Sequence, residues 1–342
     1  MRTKQSLVTK NYKKIGVTPR FCYFQPKAEL MSTIAQEISY SLSQKQKFIH
    51  PKFFYDTAGS DLFEKICSLP EYYITRTEIE ILNHIKLELS KYLLGEYALI
   101  ELGSGSSIKT RHLLQVLTSK QNDVEYYPID ISNILKDSSI NLHDEYDNLK
   151  ITGIIDQYET GLEFIRQLNH KGKLVAFLGS SFGNFEPEHG IEFLKKIRSS
   201  MKKGDLFLLG IDLAKDPKIL ENAYNDSMGV TEEFNLNLLS RINQEMGANF
   251  DKTNFNHIAI FNKKQKRIEM YLKSKKKHEV FVSKINLLLK LKKDELIHTE
   301  YSYKYTRPQI KKMAKKAGFK PLQIWTDKKD YFAIALFSVD SL

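Results

Sequence analysis

The 342 residues carry a formal charge of +11, and 43 of the 52 basic residues are lysine. Readers of nucleic acid favour the planar arginine fork, and no aromatic stacking signature accompanies runs such as Lys275-Lys276-Lys277, so the lysines read as solvated surface and no nucleic-acid partner is expected. Cys22 and Cys67 stand without a Cys/His cluster, which points away from a disulfide framework or a zinc site, and neither an apolar leader nor a run of ~20 apolar residues suggests export or a membrane span; a cytoplasmic setting is expected.

Taken in chain order, residues 28–48, 61–67 and 76–93 read as helices, the last with Ile79, Ile81, Leu82, Ile85 and Leu89 largely on one face. From Tyr97 the pattern becomes a short apolar run, YALIEL, then a Gly-Ser-Gly break, then helical spacing from Lys109 to Leu117. The alternation recurs. VEYYPIDI (124–131), KITGII (150–155), KLVAFLG (173–179) and DLFLLGIDL (205–213) are strands separated by helical stretches, which argues for a parallel, doubly wound sheet. Residues 214–303 are too many for a loop of a compact domain. Helical spacing over 217–247 and strand patterns at 256–261, 267–273 and 278–285 predict an α+β insertion there. A helix over 308–317 then leads to FKPLQIWT and YFAIALFSV, joined by only residues 327–330, which makes a terminal hairpin and not a crossover.

The segment Gly103-Ser104-Gly105-Ser106-Ser107 follows a strand and opens a helix, so Gly103 and Gly105 let the backbone turn sharply beside a ligand; a plain tight turn is the competing reading. Ile108 stands where a dinucleotide fingerprint has its last glycine, and no phosphate-binding P-loop is present. Asp130 ends the next strand, where a carboxylate can accept both ribose hydroxyls of a nucleoside, or else cap the following helix. Together these features suit a nucleoside without phosphates, such as S-adenosylmethionine (SAM).

Several segments then match one family in order. FFYDTAGSDLFEKICSLPEYYITRTE (53–78), IELGSGSSIKTRHLL, FLGSSFGNF, LLGIDLAKDP, AYNDSMGVTEEFNLNLL, RIEMYL and HTEYSYKY resemble the blocks of the histidine Nα-methyltransferases that open the ergothioneine pathway. The resemblance implies an α/β fold: a Rossmann-like class I methyltransferase sheet with a terminal antiparallel hairpin, plus a smaller α+β substrate domain. With the 214–303 insertion grouped with the N-terminal segment as a substrate domain, the SAM-binding domain is expected at 59–213 and 304–342 and the histidine-binding domain at 1–58 and 214–303. SAM is the implied cofactor, S-adenosyl-L-homocysteine its product, and no metal is expected. Gly103, Lys109 and Asp130 match the family's cofactor contacts. Where the family has a Gly-Asp-aromatic step against adenine, this chain has Asp156-Gln157-Tyr158; ungapped alignment puts Gln157 in the Asp position, and a one-residue shift restores Asp156.

On the substrate side, Tyr72, Asn184 and Tyr224 match residues that hold the amino acid's backbone end, and Tyr55 lies in a matched block nearby. Glu300 and Ser302 match the pair that grips the imidazole, and i, i+2 spacing on a strand puts both on one face. Met270 matches an apolar wall. The implied reaction is SAM-dependent Nα-methylation of L-histidine and of its mono- and dimethyl forms, three transfers giving hercynine, by a monomer without a membrane or macromolecular partner. In-line displacement needs a neutral amine about 3 Å from the methyl carbon; Tyr55 or Tyr72 can assist through water, no dedicated base is assigned, and Tyr72 can favour the trimethylammonium product by cation–π attraction. Two other readings remain: an N-methyltransferase of another aromatic amino acid, opposed by Glu300, and a non-catalytic SAM or amino-acid binding protein. A nicotinamide oxidoreductase is opposed by the incomplete glycine fingerprint and the terminal hairpin.

Overall fold

The computed structural model describes residues 12–27, 31–168 and 172–339. The basic stretch at 1–11, the first three residues of the expected 28–48 helix and the last three of the chain lie outside them. The chain divides into two compact units: Met1–Ala28, Ile74–Ala214 and Tyr305–Leu342 in the first, Glu29–Tyr73 and Lys215–Lys304 in the second.

The first unit is built on one large sheet. Its strands are β1 (Tyr12–Thr18), β2 (Phe21–Pro26), β3 (Tyr97–Leu102), β4 (Val124–Asp130), β5 (Leu149–Ile155), β6 (Gly172–Phe177) and β7 (Leu206–Asp212), with β13 (Lys320–Thr326) and β14 (Phe332–Ser338) at the end of the chain. They lie in the order β1-β2-β5-β4-β3-β6-β7-β14-β13. The run from β2 to β7 is parallel, while β14 is antiparallel to both neighbours. Every residue of β3, β6 and β7 is buried, which is why these strands read as unbroken apolar runs and not as alternation. Helices Thr110–Thr118, Ile134–Glu145, Tyr158–Arg166 and Pro187–Ser199 make the crossovers. The strand order reverses between β3 and β6, so the carboxyl ends of β3, β4 and β5 open onto the crevice where such sheets hold their ligands. This is the expected α/β sheet, closed by the expected hairpin.

The described elements differ from the expectations in several places. The hairpin β1–β2 joins the large sheet, with β2 parallel to β5, although residues 1–58 were assigned to the other domain. The cause is burial: Phe21 and Tyr23 are covered on this sheet, and Gly153 of β5 leaves the space that Tyr23 and Leu135 fill. Conversely, residues 59–73, expected in the cofactor domain, fall in the second unit. Finally, the helix expected over 217–247 is two helices, Pro217–Asn222 and Val230–Met246. Gly229 at φ +72° precedes the second one, and Asp226 accepts hydrogen bonds from the amides of Val230 and Thr231, both at 2.8 Å.

The second unit combines these two helices with Met31–Ser43 and Thr57–Cys67 and two small antiparallel sheets. One sheet runs β12 (Leu296–Tyr303), β9 (Arg267–Ser274), β8 (Phe255–Asn262); the other pairs β10 (His278–Val282) with β11 (Leu287–Leu291). The single strand expected at 278–285 is thus the first arm of a hairpin that turns through Asn286 at φ +48°. Thr57–Cys67 starts earlier than its apolar spacing suggests because Asp56 caps it, accepting from the Gly59 amide at 2.7 Å. A bulge between His298 and Glu300 sets the register of β12 against β9 and brings Glu300 opposite Met270.

Candidate active site

At the end of β3 the chain turns through Gly103 at φ +71° and Gly105 at φ +50°, the left-handed region that side chains resist. The Gly103 amide bonds the Ile129 carbonyl at 2.8 Å, fixing the turn to the end of β4. A Cβ at Gly103 would stand 2.9 Å from the Tyr158 hydroxyl, whereas beside Gly105 no described atom lies within 4 Å. The backbone therefore presents a cradle, with the Tyr158 ring on one side and open space on the other.

Asp130 sits in that cradle, buried, with one oxygen accepting from the Gly105 amide at 3.0 Å and the other from the Ser132 amide at 2.8 Å. Burial pushes its carboxyl up, and these backbone bonds pull it back toward the charged form. The helix after β4 is capped at Asn133, so Asp130 is not its N-cap. Tyr158 opens the next crossover helix and packs edge-on against Phe177 at 5.3 Å; burial and the nearby Asp130 both raise its phenol. Between them, Asp156 is already engaged: one oxygen accepts from the Tyr12 hydroxyl and the other from the Gln157 amide at 2.6 Å. Gln157 stands at the helix N-cap position, half-buried, and its side chain caps nothing.

Lys109 follows the glycine turn at the head of helix Thr110–Thr118. Its ammonium pairs with Glu78 at 3.0 Å, and Glu78, fully buried, takes the Gly179 amide on both oxygens at 2.9 and 3.0 Å. Neither Gly179, at φ +79°, nor Gly210 has room for a Cβ beside this ion pair. A second buried carboxylate, Glu101, is held at the end of β3 by the hydroxyls of Thr110 and Tyr126, each at 2.6 Å, and burial raises it to about 7. Glu78 and Glu101 escaped the sequence reading because a lone glutamate in a helix or strand carries no local signal of burial.

The second unit gathers six of the seven expected substrate residues; Asn184 belongs to the first, on the 3-10 turn Ser181–Asn184 after β6. Glu300 and Ser302 project from one face of β12, both buried, with Met270 paired opposite Glu300. Burial raises the Glu300 carboxyl to about 7, opposed by the positive charge of Lys304. Tyr224 donates to Ser302 Oγ at 2.8 Å. From there an aromatic chain runs Tyr224–Tyr72–Phe63–Tyr55, with ring centroids 6.3, 6.3 and 5.6 Å apart. Tyr72 is buried and its phenol lies well above the ordinary range, chiefly through burial. Phe63 and Lys304 are members of this cluster that the sequence reading did not name.

A family profile described as histidine-specific methyltransferase, SAM-dependent, matches residues 34–339. The chain is 36% identical over 305 residues to the histidine N-alpha-methyltransferase of Mycolicibacterium smegmatis, covering 89% of this chain and 94% of that one. Its likeness to the enzyme of the same name from Mycobacterium tuberculosis is 35%, with the same shares covered. It is also 28% identical to ergothioneine biosynthesis protein 1 of Neurospora crassa, over 81% of this chain and 32% of that longer protein.

Proposed function

This chain belongs to the histidine-specific, SAM-dependent methyltransferases and methylates histidine with SAM; from that premise we propose that it carries L-histidine through three successive Nα-methylations to hercynine, the first step of ergothioneine formation. The observation that carries the acceptor is the buried Glu300–Ser302 pair. A carboxylate and a hydroxyl on one strand face satisfy both nitrogens of an imidazole, whereas an indole or aliphatic side chain leaves one of them unmet at about 1–3 kcal/mol. That cost disfavours another aromatic amino acid as acceptor.

SAM brings a methyl group on a sulfonium, a carbon already activated for displacement. The residues fit it: Gly103 and Gly105 offer backbone without a side chain in the way, Asp130 accepts the ribose hydroxyls, and Lys109 pairs with the carboxylate of the methionyl end. Gln157, whose side chain caps nothing, is the residue of that pair assigned to the adenine amino group, with Tyr158 on the base. Tyr72 and Tyr224 bind the acceptor's backbone end, and the role implied for Asn184 stands with them. The amine must shed a proton before each transfer, and buried surroundings such as those of Tyr72 and Met270 favour the neutral form by desolvation. No metal is assigned, since the sulfonium needs no further activation. Acting on a free amino acid, the enzyme is assigned to the cytoplasm as a monomer with no macromolecular or membrane partner.

The test is incubation with SAM and the twenty amino acids, read by mass. Histidine alone should gain one, two and then three methyl groups; methylation of a different amino acid in its place, or a stop at one methyl group, counts against the proposal. For the cofactor half, Asp130→Asn should weaken adenosylhomocysteine about tenfold to hundredfold in a calorimetric titration, the range of one charged hydrogen bond. An unchanged affinity would remove Asp130 from the ribose.

A further inference from the structure

We infer that Lys304 is a positioning residue of the acceptor site, which orders the Ser302 hydroxyl as a donor so that the Glu300–Ser302 pair reads the neutral imidazole. The inference rests on histidine being the acceptor. Lys304 is 2% exposed at the end of β12, an unusual place for an ammonium, since burying one without partners is costly. Its Nζ donates to Ser302 Oγ at 2.8 Å and to the Tyr224 hydroxyl at 3.2 Å. Tyr224 in turn donates to Ser302 Oγ at 2.8 Å. A serine oxygen has two lone pairs and one proton. Both lone pairs of Ser302 are thus taken, and its proton is left for a third partner.

That arithmetic decides what the site recognises. A donor at Ser302 requires an acceptor on the ligand, which a neutral imidazole has at its unprotonated nitrogen and an imidazolium lacks. The other ring nitrogen carries the N–H that Glu300 accepts when ionised. Lys304 serves this half as well, because its charge draws the buried Glu300 carboxyl back toward the ionised form. The other titratable group facing Glu300 is Tyr72, while Met270 across the strand pair is apolar. His298, two residues earlier, is turned by the bulge onto Tyr301, its ring centroid 3.8 Å away, and against Tyr271 at 5.4 Å.

The experiment compares full-length wild type with Lys304→Met and Lys304→Gln, the second keeping donor groups without the charge. For Lys304→Met the KM for histidine should rise about tenfold or more, kcat at saturation should change much less, and adenosylhomocysteine should bind as in wild type. In both variants the acid limb of kcat/KM should move to higher pH, because Glu300 loses the charge that favours its ionised form. A purely structural lysine would depress kcat and KM together without moving that limb. Variants that match wild type in KM and in pH profile overturn the inference, and Lys304→Gln alone decides it if Lys304→Met fails to bind adenosylhomocysteine. Wild type that binds no histidine would sink the substrate reading, and this one with it.

Discussion

Glu300→Leu should reduce kcat/KM for histidine about hundredfold or more while adenosylhomocysteine still binds. Leucine removes the acceptor for the imidazole N–H and leaves that donor unmet in a buried site, two losses that together amount to roughly 3–5 kcal/mol. Glu300→Gln keeps an acceptor oxygen and should lose only about tenfold. The acid side of the pH profile separates the two explanations of a loss. With the carboxyl raised to about 7, wild type should lose kcat/KM as pH falls below that value, because a protonated Glu300 no longer presents a carboxylate to the ring N–H. In the glutamine variant the Glu300 contribution should vanish and only the ionisations of free histidine itself, its imidazole and its α-amine, should remain on that limb. Stability carries the opposite sign. A folded-state value above the ordinary 4.5 gives stability that is present below 4.5 and lost as pH rises through about 7, so either variant should flatten that part of the thermal-denaturation profile. Steady-state rates read by mass check the first claim, and a leucine variant within threefold of wild type would remove Glu300 from the acceptor.

What could be read from the chain and what could not differ by range of interaction. YALIEL and LFLLGIDL are strands buried on both faces, so their apolar runs and the glycine break after the first are local signals. The position of Asp130 could be read for the same reason, as the polar residue that ends such a run. The β1–β2 hairpin was not, because its place depends on pairing between Phe21 and Ile151, far apart in the chain, and on space left by Gly153. The break in the helix after Pro217 turns on Asp226 and Gly229, residues that also occur on helix surfaces. Ion groups were hardest of all. Glu78 and Lys304 are acceptable in water by composition, and only tertiary partners, Lys109 and Gly179 for one, Ser302 and Tyr224 for the other, make them interior. The pair Asp156-Gln157 shows the same limit. Alignment left two choices, and the bond from Tyr12 to Asp156 comes from a strand whose place was itself unforeseen.

The glycine turn offers the sharpest separation of folding from binding. Gly103→Val should cost the protein both. A β-branched residue at φ +71° is strained by roughly 1–3 kcal/mol, and its Cβ would meet the Tyr158 hydroxyl at 2.9 Å. Tyr158 cannot simply swing aside, since its ring is packed against Phe177 at 5.3 Å and Phe193 at 5.9 Å. The turn must therefore open, and with it the bond from the Gly103 amide to Ile129 that holds β3 to β4. Adenosylhomocysteine affinity should fall about hundredfold or more, with a melting temperature lower by several degrees. Gly105→Ala is the control that isolates the ligand. Its Cβ meets no described atom within 4 Å, so the fold bears only the left-handed strain of about 1 kcal/mol, while the methyl group enters the open side of the cradle. Affinity should fall there with little change in melting. If instead Gly105→Ala binds as tightly as wild type, the open side of the turn is not where the cofactor lies, and the nucleoside must be sought on another face of Asp130.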